Sequence, residues 1–287
     1  MPTVAIPFRI VDVFTSRPLA GNQLCVVPEP IDIDDALMQA IAKEIGFSET
    51  TFVTSSGGDR YAMRIFTPDK ELPFAGHPTL GTAFVMVNEG RVTTPAIQSV
   101  EAGEIPVEVD VDSNWAWMRQ LPPVFGPEFA DRELIARAIG LTPEDLHPDL
   151  PVCTVSTGLP PTIVPVRDLE TLRRAESNAS AVGEAVAASG AEELYLFAVA
   201  DEGVTARMFE AGFGSGEDPA TGSAAGPLGA YLAEHGLAGM PGTVMIRQGE
   251  QVGRPSELHV EAVREDDAWR VRVGGGVHLV GRGELTL

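Results

Sequence analysis

Three side chains carry most of the chemistry this sequence can offer: Asp218 in GSGEDPATGSAA, His77 in LPFAGHPTLGTA and Glu49 in GFSETTFV. Asp-Pro-Ala-Thr has the form of a helix start, an aspartate cap followed by proline at the first helical position. Two readings of Asp218 therefore stand side by side, a structural cap and a carboxylate in a site. His77-Pro78 has the same grammar, but histidine is a poor cap. Two helices entered from glycine-containing loops at matched places point their N-termini at one site between two halves, and partial positive charge there seats a carboxylate without a lysine or arginine. The loops GFGSGED and LPFAGHP supply small residues for close approach of backbone to a ligand. Glu49 follows Gly46, which ends a helix over Ile33–Ile45, and it opens a strand. It shares parity with Phe47 and Val53, an inward direction. A desolvated glutamate there has a raised pKa and suits general acid/base work near neutral pH. An exposed glutamate at a strand start fits the same pattern, and among 41 acidic residues spacing alone does not single Glu49 out.

The elements that position these residues come from a repeat. RIFTPDKELPFAGHPTLGTAFVMVNEG begins at Arg64, and RMFEAGFGSGEDPATGSAAGPLGAYLAEHG begins at Arg207. Both open Arg-(Ile/Met)-Phe and both pass through a loop to (His/Asp)-Pro-x-x-Gly-(Thr/Ser)-Ala. On that motif His77 matches Asp218, Gly81 matches Gly222 and Thr82 matches Ser223. Each copy reads strand, loop, helix. The first helix carries Leu80, Ala83, Phe84 and Val87 at helical spacing, with Val85 and Met86 on other faces, so it is buried nearly all round. The second carries Ala224, Leu228, Tyr231 and Leu232, and Pro227 bends it. Gly90 and Gly236 end the two helices.

Short strands surround these helices: Phe8–Val13, Leu24–Val27, Thr51–Val53, Tyr61–Phe66, Ile105–Val111, Trp115–Gln120, Thr154–Ser156, Thr162–Val166, Glu193–Val199, Val204–Phe209, Thr243–Arg247, Glu257–Ala262 and Trp269–Val273. Surface helices fit Ile33–Ile45, Asp131–Ile139 and Asp168–Arg174. The pattern is α+β, two like domains related by a pseudo-twofold axis. The break is expected in the proline-rich LPPVFGP segment, giving an N-terminal domain of 1–121, completed by 278–287 if the last strand returns to it, and a C-terminal domain of 122–277.

Composition narrows the function. At 287 residues two domains are expected. A net charge of −21 repels phosphate backbones and anionic lipid, so neither nucleic acid nor a membrane surface is an expected partner. The start MPTVAIPFRIVDVFT reads as a first strand rather than a signal peptide, and no apolar run is long enough to span a bilayer, so a cytoplasmic protein is expected. Cys25 and Cys153 stand far apart in apolar company and read as buried structural thiols. Lys43 lies on a helix and Lys70 in a loop, and neither suits a Schiff base. The five histidines are scattered, which implies no metal. The GFGSGE loop is no dinucleotide fingerprint, since Glu217 and Asp218 repel a pyrophosphate. Ser223 has no GxSxG around it.

FAGHPTLGTA, FSETTFV and GSGEDPATGSAAGPLGAYL together resemble the signature segments of the PhzF-like (phenazine biosynthesis F) isomerases. DVFTSRPLAGNQLCVV, STGLPPTIVPV and QVGRPSELHV extend the resemblance over essentially the whole chain in order. It implies the two-domain fold shared with diaminopimelate epimerase, each domain a barrel-like sheet around a central helix, with the site in the cleft. Those epimerases use one cysteine per repeat as acid and base, and here the repeats carry none, which disfavours two-thiol racemisation. The resemblance places the catalytic set on Glu49, His77, Asp218 and Ser223, puts Gly76 and Gly222 in the lining of the pocket, and adds Thr221 and Pro78 to the substrate-binding residues. It implies a proton moved by the glutamate within a small anionic or zwitterionic carboxylic acid such as trans-2,3-dihydro-3-hydroxyanthranilate, no cofactor, and a homodimer. Two other readings fit the same sequence: a cysteine-free epimerase or racemase of an amino acid or related acid, and a non-catalytic small-molecule-binding protein on the same fold.

Overall fold

The structure is a computed structural model that describes residues 5–201, 203–211, 216–265 and 268–287. It divides the chain into two compact units, Met1–Arg119 with Gly274–Leu287, and Gln120–Val273. The first unit contains β1 (Ala5–Val13), β2 (Asn22–Val27), α1 (Asp35–Ile45), β3 (Glu49–Gly57), β4 (Arg60–Phe66), β5 (Glu71–Leu72), α2 (Gly76–Asn88), β6 (Ala96–Val100), β7 (Gly103–Asp110) and β8 (Trp115–Arg119). The second contains β9 (Val124–Glu128), α3 (Arg132–Ala138), β10 (Cys153–Ser156), β11 (Pro161–Pro165), α4 (Leu169–Arg174), α5 (Ala179–Ser189), β12 (Glu193–Ala200), β13 (Gly203–Phe209), β14 (Glu217–Asp218), α6 (Gly222–Glu234), β15 (Gly242–Gln248) and β16 (Ser256–Glu265). A last long strand, β17 (Ala268–Thr286), starts in the second unit and ends in the first.

In the first unit β1 pairs with β17 and β2, and pairing continues through β3, β4, β6, β7 and β8 back to β17. Eight strands thus close into a barrel with no free edge. Helix α2 packs against β1, β2, β3, β6, β7 and β8. Its residues from Gly76 to Met86 are all buried, as befits a helix with no polar face. Gly81 permits the fit, because a Cβ there would stand 2.6 Å from Leu24 Cδ2 and 2.9 Å from Val13 Cγ2. Helix α1 covers the outside, where Met38, Ile41 and Ala42 pack with Ile6, Val27, Phe52 and Phe66. Asp34 accepts from the Leu37 N–H and Gly46 ends the helix at φ 69°.

The second unit follows the same plan. β9, β10, β11, β12, β13, β15 and β16 pair in that order, and the Val271 carbonyl of β17 accepts from the Gln120 N–H. α6 packs on β10, β11, β15 and β16 and is buried from Gly222 to Ala233. Outside, α3, α4 and α5 enclose Ile135, Leu172, Val182, Leu194 and Phe209. Both units are built on parallel crossovers: β2 to β3 and β4 to β6 in the first, β11 to β12 and β13 to β15 in the second.

The register of the duplication differs from the motif match. Glu71 pairs with Phe66 in one unit and Glu217 with Phe209 in the other. From there both units agree residue for residue. Central helices start at Gly76 and Gly222, run 13 residues each and are followed by left-handed Gly90 and Gly236. On this register Gly76 matches Gly222, His77 matches Ser223 and Leu72 matches Asp218. The link from β13 to β14 is three residues longer than that from β4 to β5, and each helix carries its own Gly–small-residue run, so the motif slid along by five positions.

Strands also appear where the sequence pattern was not read as one. β6 and β9 were not expected, and β9 lies within the proline-rich segment. β17 continues through Gly274–Gly276, where Gly274 lies against Trp117 and the Ala116 carbonyl, and Gly276 against the Thr15 carbonyl. Side chains there would collide with neighbouring backbone, so the glycine run is a device for close packing rather than a break.

Candidate active site

Glu49 is the first residue of β3, beside Leu24 of β2, and is only 8% exposed. His77 is the second residue of α2 and is 4% exposed. Their side chains meet, His77 Nε2 standing 3.3 Å from Glu49 Oε2. The Thr51 and Thr82 hydroxyls, 2.8 Å apart, tie β3 to α2 and so fix the two residues relative to each other. Behind the imidazole, Asn22 Nδ2 lies 3.2 Å from His77 Nδ1, and the Ser48 hydroxyl donates to Asn22 Oδ1 at 3.4 Å. The approach of Nε2 to Glu49 is a close contact without hydrogen-bond geometry. Burial pushes His77 down to about 3, a backbone hydrogen bond at Gln23 pulling the other way. The imidazole is therefore neutral in the neutral range.

The second unit's residues lie around the start of α6. Asp218 is not the helix cap. It ends β14, paired with Met208, and the helix begins four residues later with Thr221 as its N-cap. Pairing with β13 keeps Asp218 extended, so its side chain is available for other partners. The Thr221 hydroxyl donates to Asp218 Oδ2 at 2.7 Å. Gln248 pins the turn: its amide donates to the Asp218 carbonyl at 2.9 Å and to Thr221 Oγ1 at 3.0 Å, and its Oε1 accepts from the Thr221 N–H at 3.2 Å and from the Tyr195 hydroxyl at 2.8 Å. Asp218 and Thr221 are each 5% exposed.

Ser223 is the second residue of α6 and is 8% exposed. Gly222 is fixed by Gln120, whose amide donates to the Gly222 carbonyl at 2.8 Å and whose Oε1 accepts from the Thr157 hydroxyl at 2.7 Å. Neither central helix has a side-chain cap: Ala75 offers none, and the Thr221 hydroxyl serves Asp218 instead. First-turn N–H groups with no capping side chain suit an anionic ligand. Gly76 and Pro78 flank His77 in the buried first turn of α2.

The loop 212–215, within the small-residue stretch GFGSGED, lies outside the described residues. Cys25 and Cys153 are buried in strands, their thiols pushed up by burial to about 12 and about 11. Among the described residues, no three His, Cys, Asp or Glu side chains converge as metal ligands, and no helix is long and apolar enough to cross a membrane.

A family model described as phenazine biosynthesis-like protein matches residues 11–283. The chain belongs to the phenazine biosynthesis-like (PhzF) family. It is an isomerase by that membership, and its relatives bear the name. The trans-2,3-dihydro-3-hydroxyanthranilate isomerase of Pseudomonas fluorescens is 36% identical over 290 residues, 98% of this chain and 99% of that protein. The PhzF-family phenazine biosynthesis protein of Bacillus anthracis superposes with a TM-score of 0.87 at 28% identity, covering 99% of this chain and 100% of that one. A probable proline racemase of Agrobacterium radiobacter matches with a TM-score of 0.68 at 12% identity over 98% of this chain and 93% of that one. That likeness extends the fold alone to the epimerases and racemases.

Sequence reasoning alone did not find several residues that hold the candidate groups within each unit: Asn22 and Ser48 in the first, Gln120, Thr157 and Gln248 in the second. Asn22, Ser48 and Thr157 lie in or beside segments that carry the family resemblance, which was the available signal. Gln120 and Gln248 show their roles only once the strands are paired.

Proposed function

We propose that this PhzF-family isomerase works without a cofactor, Glu49 moving a proton within a small carboxylic acid such as trans-2,3-dihydro-3-hydroxyanthranilate. The observation that carries the proposal is the buried contact of Glu49 with a neutral His77 at 3.3 Å. A carboxylate beside a fixed cation is pinned in its charged form, and a shuttle must pass through both forms. A neutral imidazole lies against the carboxylate without adding that charge. On this reading Glu49 removes the proton from the substrate's C3, the electron pair shifts through the conjugated ring, and the same carboxyl returns the proton at C1. No atom is gained or lost, and the resulting enol relaxes to a ketone.

The family resemblance gives Ser223 and Asp218 the holding roles in this proposal. Ser223 and the N–H groups at the start of α6 take the substrate carboxylate, and Asp218 takes its amino or hydroxyl group. Fixed placement of the reacting carbon against Glu49 is then the main catalytic term. The chain's large negative charge makes such local donors necessary for an anionic substrate.

The test compares wild type with Glu49→Gln on trans-2,3-dihydro-3-hydroxyanthranilate in D₂O, following absorbance and deuterium in the product. The expected result is turnover by wild type that is nearly abolished in the variant. Absence of turnover by folded wild type would sink this substrate, and equal turnover by both proteins would sink Glu49 as the base.

A further inference from the structure

The duplication places one more carboxyl in the second unit, unused in the reading above. Thr50 pairs with Phe66 and Leu194 with Phe209, so the residues one step earlier, Glu49 and Glu193, hold equivalent positions. Each opens the strand that leads into the hairpin, and each lies beside a parallel neighbour, Leu24 for Glu49 and Pro161 for Glu193. Each is 8% exposed. Among the described residues Glu193 Oε1 has no hydrogen-bond partner. A buried carboxylate oxygen in that state is costly, whereas a protonated carboxyl is not charged at all.

The groups around Glu193 are of one sign. Glu192 adjoins it in the chain, Glu210 follows β13, and Asp218 lies on β14. Tyr195, on the same strand, feels the Glu193 and Asp218 charges, and its hydroxyl is committed to Gln248. β11 opposite is Pro161–Pro165, with no ionisable side chain, and α6 begins with Gly222 and Ser223. The cation of β13, Arg207, is held in two bonds by Glu217, at 3.0 and 2.6 Å, and by the Leu172 and Ala175 carbonyls.

We propose that Glu193, two residues before the Tyr195 that pairs through Met208 with Asp218, is a positioning residue for Asp218 at the place Glu49 occupies in the first unit. The inference rests on the reading that Asp218 holds the substrate. A buried carboxyl among charges of its own sign does not ionise readily and keeps its proton. Burial first, then the charges of Glu210, Asp218 and Glu192, push Glu193 up to about 8. The proton therefore rests on Glu193, while Asp218 accepts from the Thr221 hydroxyl. Above that pH Glu193 gains a negative charge, which disturbs Asp218, the group that orients the substrate.

The experiment has two arms. In the first, KM and kcat for trans-2,3-dihydro-3-hydroxyanthranilate are followed between pH 6 and 9.5 for wild type, Glu193→Gln and Glu193→Asp. The expected outcome is a wild-type KM that climbs above about pH 8 with little change in kcat. Glu193→Gln, which cannot ionise, loses that limb, and Glu193→Asp keeps it at a shifted pH. A residue that only supported the fold would leave the limb in all three, and that result overturns the proposal. In the second arm the carboxyl carbons of ¹³C-glutamate-labelled protein are titrated by NMR without substrate. A glutamate titrating near 8 in wild type and missing from Glu193→Gln supports the proposal. Only ordinary glutamate titrations in wild type overturn it. The second arm decides the protonation of Glu193 even if wild type fails to turn over this substrate, which counts against the isomerase substrate alone.

Discussion

The two units of this chain have the same frame and fill it differently. Both begin a strand with a buried glutamate, Glu49 and Glu193, at the same step from the hairpin. Both follow a two-residue strand with a buried 13-residue helix starting on glycine. The second helical residue is His77 in one and Ser223 in the other, and the residue closing the short strand is Leu72 in one and Asp218 in the other. The first glutamate thus meets a neutral imidazole, and the second lies in the field of further acidic side chains. The duplicated frame fixes where a group stands, and the immediate neighbours decide what that group can do. On the proposed reading, the first unit's neighbours suit a carboxylate that gives and takes a proton, and the second unit's favour a carboxyl that keeps one.

The largest effect should separate the two glutamates. Glu49→Gln removes the proposed acid/base and should lower kcat for trans-2,3-dihydro-3-hydroxyanthranilate by roughly 10²–10⁴-fold. Glu193→Gln replaces a neutral acid with a neutral amide and should cost much less at pH 7. Near-equal losses in a side-by-side turnover assay would erase the functional distinction between the units.

A second contrast lies in the arginines that open the repeat. Arg207 is buried, holds Glu217 in two bonds and stacks over Phe209 with 4.8 Å to the ring centroid. Arg207→Met leaves Glu217 buried without its cation, and removing one partner of a buried pair costs about 3–5 kcal/mol. Urea unfolding measures it, and a loss near zero would mean that water or another cation reaches Glu217. The double variant Arg207→Met with Glu217→Leu should recover much of the loss, because no charge is then stranded.

Much of this frame was legible in the sequence, for definite reasons. The central helices announce themselves because apolar residues at helical spacing and a terminal glycine occur together, and most strands because β-branched runs end in turn residues. Other elements carry conflicting local signals. Helix α5 contains Gly183 and mostly small residues, β9 sits among prolines, and β17 passes through three glycines; each is held by packing that local pattern does not encode. The site divides in the same way. Parity allowed Glu49 an inward direction, and only the FSETTFV resemblance picked it out from the other acids. Asp218-Pro219 looked like a cap because that dipeptide usually is one, and pairing with β13 overrides it. Glu193 is one acid among many until the hairpin register gives it the position that Glu49 holds in the first unit.

The buried groups also predict opposite responses to pH. His77 has a folded value near 3 against an ordinary 6.5, so between those values the unfolded chain takes up a proton that the native one refuses. Its contribution to stability is present above pH 6.5 and lost as pH falls toward 3. Glu193 has a folded value near 8 against an ordinary 4.5, so its contribution is present below 4.5 and lost as pH rises toward 8. The two slopes oppose each other between 4.5 and 6.5. Thermal unfolding from pH 4 to 8.5 should show His77→Gln losing the acid-side decline and Glu193→Gln losing the alkaline-side decline. The same change in both variants would show that the two units do not titrate independently.

The smallest effect is expected at Arg64, the counterpart of Arg207. It makes the same bidentate bond, to Glu71 at 2.7 and 2.6 Å, adds Asp35 at 2.5 Å, and lies over Phe66 with 5.1 Å to the ring centroid. Contact geometry alone would rank it with Arg207 or above it. Exposure reverses the ranking: the Arg64 side chain is 29% exposed and Asp35 79%, against 7% for Arg207 and 6% for Glu217. Water and salt replace most of what an exposed pair gives, and both carboxylates left behind remain hydrated. Arg64→Met should therefore shift the urea midpoint by a small fraction of the Arg207→Met shift, and added salt should shrink that fraction further. Equal shifts would mean that the pairing itself, and not its removal from water, is what the second unit gains from burying its arginine.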